Sequence, residues 1–158
     1  FAHVHGMKVI MPTTGHDAKG MLISAIEDNS PVLLIEHRWL HHIKDTVPQG
    51  LYRVPLDKAK VLHSGSDVTV AAFSYMAVEA LLAAQSLAAA MGISVEVIDM
   101  RSIRPLDTDT VLKSLQKTGR LIVADTAFRT GSIAGELIAQ VVEQAFETLK
   151  AKDRKSVV

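Results

Sequence analysis

Short runs of consecutive apolar residues alternate along this chain with longer segments of helical period, and that alternation limits the possible folds more than any other feature. Val32–Ile35 and Leu121–Ala124 are four apolar residues in a row, the pattern of strands covered on both faces. Lys8–Met11 is a similar short run closed by Pro12. Thr13 and Thr14 then offer N-cap oxygens, and Asp17 puts an acid in a first helical turn. A helix is expected to about Glu27, with Met21, Leu22, Ala25 and Ile26 on one buried stripe, ended by Asn29-Ser30-Pro31. Together these segments form one β-α-β unit.

Between residues 37 and 56 the pattern breaks around Pro48, Gly50 and Pro55, which reads as a connector between two domains. Ala59–His63 and Val68–Phe73 flank Ser64-Gly65-Ser66-Asp67 and read as a hairpin that supplies an antiparallel edge. Helix Met76–Met91 with Gly92 as its cap, strand Ser94–Ile98, helix Thr108–Thr118 ended by Gly119, strand Leu121–Ala124 and helix Ser132–Leu149 follow. The fold class is therefore α/β, with a mostly parallel sheet between helices on both faces over residues 57–158. The first 36 residues hold too few elements to cover a parallel pair, so the rest of that domain is expected upstream of Phe1, in a longer protein.

Composition narrows the function. Seventeen basic residues balance seventeen acidic ones, leaving no basic stripe for nucleic acid and no polybasic membrane tether. No run approaches the roughly 18 apolar residues that span a bilayer. With no Cys there is no disulfide scaffold, Cys-ligated zinc or iron–sulfur cluster, and an intracellular setting is the default expectation. Aromatic residues make up only 4% of the chain, so Val, Ile, Leu, Ala and Met must build the core.

Among candidate sites, His37 and His41 have the i, i+4 spacing of two zinc ligands, but no acidic residue stands between them and loop histidines are the preferred reading. Thr130-Gly131-Ser132 precedes a helix and could present N–H groups to an anion, or be a plain N-cap. The segment Asp99–Asp107 leaves a strand at the sheet end where ligands usually sit. The preferred reading is that Arg101 and Arg104 fix a turn through ion pairs while Asp107 or Thr108 caps the next helix; a subunit contact for Arg101 is the alternative. The helix end Ala25–Pro31 leaves carbonyls free beside Asp28, surroundings a hard cation tolerates, although simple helix termination explains them as well.

Several strings then occur in an ordered series: Phe1-Ala2-His3-Val4, Gly6-Met7-Lys8-Val9-Ile10, Asp17-Ala18-Lys19-Gly20, Asp28-Asn29-Ser30-Pro31-Val32, Val54–Ala59, Val97–Asp107 and Lys117-Thr118-Gly119-Arg120-Leu121. Together they resemble the beta subunits of thiamine-diphosphate-dependent 2-oxoacid dehydrogenases, the pyruvate, branched-chain and acetoin group related to transketolase. The resemblance implies that residues 1–36 are the tail of a pyrimidine-binding domain, 37–56 a connector, and 57–158 a transketolase C-terminal-like three-layer domain, incomplete at its end. It implies a heterotetramer with an alpha subunit and a second beta subunit, serving a lipoyl acyltransferase core in the bacterial cytoplasm or the mitochondrial matrix. Thiamine diphosphate and magnesium belong to the full enzyme, whose catalytic Glu and His would lie before Phe1. No catalytic or cofactor-binding residue is therefore assigned here, and the piece alone is expected to be inactive. The resemblance also implies a structural potassium ion held by Ala25, Ile26, Asp28 and Ser30, with Ser30 in place of a family Asn. His5, Thr126 and Lys150 depart from the family pattern, the last where some members carry an acyltransferase-docking acid. Two further readings stay open: a non-catalytic subunit-association module, and part of a single-chain transketolase-like enzyme.

Overall fold

Thr14 has extended backbone angles, and its hydroxyl accepts the Asp17 amide at 3.1 Å, so helix α1 (Gly15–Glu27) starts with one of its free N–H groups satisfied. The structure is a computed structural model and describes residues 1–150. Strands β1 (Lys8–Ile10) and β2 (Val32–Leu34) flank α1 and pair in parallel, Val9 opposite Leu33. A 3₁₀ turn follows at Arg38–His42.

The second group of elements comprises β3 (Lys60–His63), β4 (Val68–Ala72), α2 (Tyr75–Met91), β5 (Val95–Asp99), β6 (Ser102–Arg104), α3 (Thr108–Thr118), β7 (Leu121–Ala124) and α4 (Ile133–Ala145). Its sheet has the order β3-β5-β4-β7, with β4 parallel to both β5 and β7. The antiparallel edge is present, but it is not a hairpin. β3 pairs with β5, Val61 opposite Ile98, and β5 lies between β3 and β4. All five residues of β5 are buried, so it takes an interior position with a neighbour on each side. The Ser64–Asp67 segment instead crosses the start of β5, where the Ser66 and Asp67 amides both donate to the Ser94 carbonyl. Gly65 passes so close that a Cβ would lie 2.2 Å from the Val95 carbonyl carbon.

Helix α2 covers one face through Ala77, Ala80 and Ala84 against Ala72, Val95 and Val97. Helices α3 and α4 cover the other, where Val111, Leu115, Leu137 and Val141 pack on Ala71, Ile98 and Met100. Gly92 and Gly119 end α2 and α3 in the left-handed conformation expected of them, at φ 66° and 68°. Helix α4 is shorter than its period implied: it stops at Ala145 and tightens into a 3₁₀ turn over Phe146–Thr148.

One strand was not apparent in the sequence. β6 pairs antiparallel with β1, giving a first sheet of order β2-β1-β6. Val9 accordingly shares a core with Ile103, Val111 and Leu115. The 37–56 stretch also folds back: the Tyr52 hydroxyl donates to the His16 carbonyl at 2.8 Å, and Val54 packs with Ile10, Met21 and Leu56.

Candidate functional site

The carboxyl ends of β4 and β5 and the start of β3 meet the first turn of α1 in a buried polar knot. Asp17 lies on the inner face of α1, its side chain only 1% exposed. Arg101 Nη1 reaches it at 2.9 Å, Lys60 Nζ at 3.3 Å, and His16 Nδ1 at 2.9 Å. Burial works to raise the Asp17 carboxyl, but the His16 hydrogen bond and the Arg101 and Lys60 charges together hold it below the usual carboxylate range. Arg101 is itself fixed, since its Nε donates to the Lys58 carbonyl at 2.8 Å.

Asp99 closes β5 beside this pair and has no solvent exposure. Its Oδ1 accepts the Arg101 amide at 3.1 Å, whereas Oδ2 has no partner among the described residues. Burial pushes the Asp99 carboxyl up to about 7; the Arg101 amide bond, the nearby Thr13 hydroxyl and the Arg101 charge oppose the rise, and the Asp17 charge adds to it. Thr13 donates to the Ser74 carbonyl at 3.2 Å. Ser74, where β4 turns into α2, has φ 51° and ψ −126° and a buried hydroxyl without a partner among the described residues. Beside the knot is a cavity of about 410 Å³ bounded by Thr13, Thr14, Leu40, Ile43, Leu62 and Leu81.

In the turn from Asp99 to Asp107 only Arg101 makes the expected ion pair; among the described residues Arg104 is paired with no carboxylate and bonds a backbone carbonyl instead. Arg101 ties to Asp17, and Arg104 Nη1 donates to the Ala2 carbonyl at 2.5 Å. Asp107 caps α3 through the Thr110 amide at 3.3 Å and also accepts the Ala59 amide at 2.9 Å. His37 and His41 do not converge: His37 Nδ1 accepts the Trp39 amide at 3.3 Å, while His41 faces Glu36 at 3.2 Å. Among the described residues no group of three or more His, Asp or Glu is placed to hold a metal ion. At the start of α4, the Ser132 hydroxyl accepts the Ala134 amide at 3.0 Å and donates to Asp125 at 2.6 Å, so a carboxylate of the protein already lies there.

Ala25, Ile26, Asp28 and Ser30 lie together where α1 ends. The Asp28 amide donates to the Ala25 carbonyl at 3.4 Å, a long bond that leaves that oxygen largely free. The Asp28 carboxylate is committed to the Lys8 ammonium and to the Ser30 amide at 2.8 Å. The Lys8 ammonium thus already places one positive charge beside this turn. The sequence did not reveal the Asp17–Arg101–Lys60 tie or the unpartnered Asp99. A signal was available in the two acids, Glu96 and Asp99, of the strand Val95–Asp99.

Residues 57–158 match the family model described as transketolase, C-terminal domain. The chain belongs to that family. This transketolase C-terminal-domain chain is 45% identical over 151 residues to acetoin:2,6-dichlorophenolindophenol oxidoreductase subunit beta of Cupriavidus necator, covering 96% of this chain and 44% of that protein. It is 42% identical over 147 residues to pyruvate dehydrogenase E1 component subunit beta of Bacillus subtilis, covering 92% and 45%. The chain thus spans less than half the length of these relatives. A solved structure described as split gene transketolase, inactive beta4 tetramer, superimposes with a TM-score of 0.76 at 25% identity, covering 92% of this chain and 47% of that one.

Thiamine diphosphate, the cofactor implied by the resemblance, does not fit the described residues. Its aminopyrimidine needs a carboxylate facing a cavity. The buried carboxylates here are Asp17, held by three side chains; Glu96, held by Lys117; Asp107, capping α3; and Asp99, enclosed. None of these lines the cavities beside α1; the carboxylates that do are the solvent-exposed Glu36, Asp45 and Asp57, and Asp28, which is paired with Lys8.

Proposed function

We propose that this chain is part of the beta subunit of a 2-oxoacid dehydrogenase decarboxylating component, in which it supports assembly around a reaction centre built by other segments. The observation that carries this reading is the 40–45% identity to pyruvate and acetoin dehydrogenase beta subunits over 92–96% of the chain. The activity is thiamine-diphosphate-dependent decarboxylation of a 2-oxoacid with acyl transfer to a lipoyl group. Its partners are an alpha subunit, a second beta subunit and the acyltransferase core, in the bacterial cytoplasm or the mitochondrial matrix. Residues 1–36 belong in this reading to the pyrimidine-binding domain, 37–56 to a connector and 57–158 to the transketolase C-terminal domain, whose last residues lie outside those described. Thiamine diphosphate and magnesium are bound by the remainder of the enzyme, and the 158 residues alone are inactive. In this reading a potassium ion sits on the carbonyls of Ala25, Ile26, Asp28 and Ser30 and stiffens the turn between α1 and β2.

The test is to join this chain to the missing part of the beta subunit, co-express it with an alpha subunit, and measure 2-oxoacid decarboxylation. Activity of the assembled complex with none from the 158 residues supports the proposal. Persistent inactivity of a correctly assembled, cofactor-loaded complex refutes it. That outcome would favour a second reading, a non-catalytic association module, consistent with the inactive tetramer of the structural relative.

A further inference from the structure

The polar knot contains two buried carboxyl groups but cations committed to only one of them. Lys60 and Asp99 face each other directly across β3 and β5, a register that ordinarily pairs opposite charges. The Lys60 ammonium nevertheless goes to Asp17, as does the Arg101 guanidinium, which leaves Asp99 only the Arg101 backbone amide. A buried carboxylate oxygen with no donor is costly as an anion and tolerable as a neutral acid.

We propose that Asp99 is a proton-operated latch at the joint between the two sheets: it sits as the neutral acid in the closed joint, and its ionisation draws Arg101 and Lys60 away from Asp17. The groups that face it are Asp17 from α1, Lys60 from β3 and Arg101 from the turn after β5, with His16 behind them on Asp17. The loop before α1 and the end of β4 contribute only the hydroxyls of Thr13 and Ser74. The Asp17–Arg101 pair is the side-chain tie between α1 and the turn that leads into β6, so weakening it loosens α1 against the second sheet.

The sign of the pH dependence follows from linkage. The folded carboxyl keeps its proton up to about pH 7, whereas the unfolded one releases it near its ordinary value of about 4. Over that window each pH unit weakens folding by up to tenfold through this group, and above it the loss stops. Asp99→Asn keeps an acceptor for the Arg101 amide and has no charge to lose. The ratio of variant to wild-type folding constants, read from urea titrations, therefore rises through the window and levels off above it. His16 is present in both proteins and cancels. Equal pH slopes in the two proteins overturn the proposal.

Two measurements remain decisive if variants fold poorly. In the wild-type protein the Asp99 side-chain carboxyl ¹³C resonance stays in its protonated position at pH 6; an ionised Asp99 at pH 5 overturns the proposal. Amide exchange in α1 at pH 8 is faster in wild type than in Asp99→Asn at the same pH, and equal rates refute the loosening of the joint. In Asp17→Asn the cations are released and the Asp99 titration moves down. An unmoved titration means the two carboxyls do not share them.

Discussion

Ser74 offers the sharpest check on the physical reasoning, because its backbone and its side chain are both unfavourable. At φ 51° and ψ −126° it occupies the mirror image of the extended region, where a Cβ crowds the backbone at a cost of about 1–3 kcal/mol. Its hydroxyl is buried, finds no partner among the described residues and does not cap α2, so removing it sacrifices no hydrogen bond. Ser74→Gly relieves the strain and the unpaired hydroxyl together. Against that stand about 0.5–1 kcal/mol of extra chain entropy in the unfolded state and a small void. The bond from Thr13 survives, because it ends on the Ser74 carbonyl. The expected net effect is a gain of about 1–2 kcal/mol, or an increase of several degrees in Tm for a chain of this size. Urea titration should show a higher midpoint at unchanged slope. Ser74→Ala is the control: it deletes the hydroxyl but keeps the Cβ, so it should gain less than the Gly variant. A Gly variant no more stable than the Ala variant would refute the claim that the backbone is strained.

Gly65→Ala should be among the most damaging single changes, at about 3 kcal/mol, because its Cβ meets Val95 and Glu96 backbone atoms that have no room to move; thermal denaturation checks it. Leu137→Ala empties a fully buried position between α4 and the sheet and should cost about 2–5 kcal/mol by urea titration. Acid should weaken the fold through Asp17 and Glu96. Both have depressed folded-state values, so their contribution is present above the ordinary carboxylate range and is lost as pH falls through the folded values. The urea midpoint should therefore fall on acidification below about pH 4, and less steeply in Asp17→Asn.

Most of the elements were legible because local chemistry and tertiary role agree in them. Thr14, Gly92, Asp107 and Gly119 each cap a helix for a reason internal to a few residues, and those boundaries fall where the pattern indicates. The position of β3, beside β5 and not β4, was not legible. A Ser-Gly-Ser-Asp turn signals a hairpin locally, but five buried residues in β5 need neighbours on both sides, and this non-local demand prevails. β6 was hidden for a related reason: Ser102-Ile103-Arg104 has little strand character of its own and is held extended by β1. The knot was half legible. Asp17, Asp99 and Arg101 could each be singled out on the sequence, but pairing Asp17 with Arg101 requires knowing that α1 and the end of β5 meet, across more than eighty residues of chain.

The position of β6 determines how the parts of the chain communicate. The sequence breaks at 37–56, yet the first sheet is completed by a strand from beyond that break, and Val9 shares its core with α3. The Met11 amide donates to the Arg101 carbonyl at 2.8 Å, so β1 runs directly against the turn that carries the Asp17 partner. The Ser102 hydroxyl holds the Leu56 carbonyl at 2.6 Å, which anchors the end of the connector to the same turn. A shift of the Asp99–Arg104 turn therefore cannot be absorbed in the linker. It must move β1, and with it the start of α1. In the proposed beta subunit, α1 and β1 lie in the domain that receives the pyrimidine ring. On that reading the second sheet is the rigid base that sets where the first one stands, and its contribution to the reaction is made through position, with Asp17, Asp99 and Arg101 as the adjustable contact.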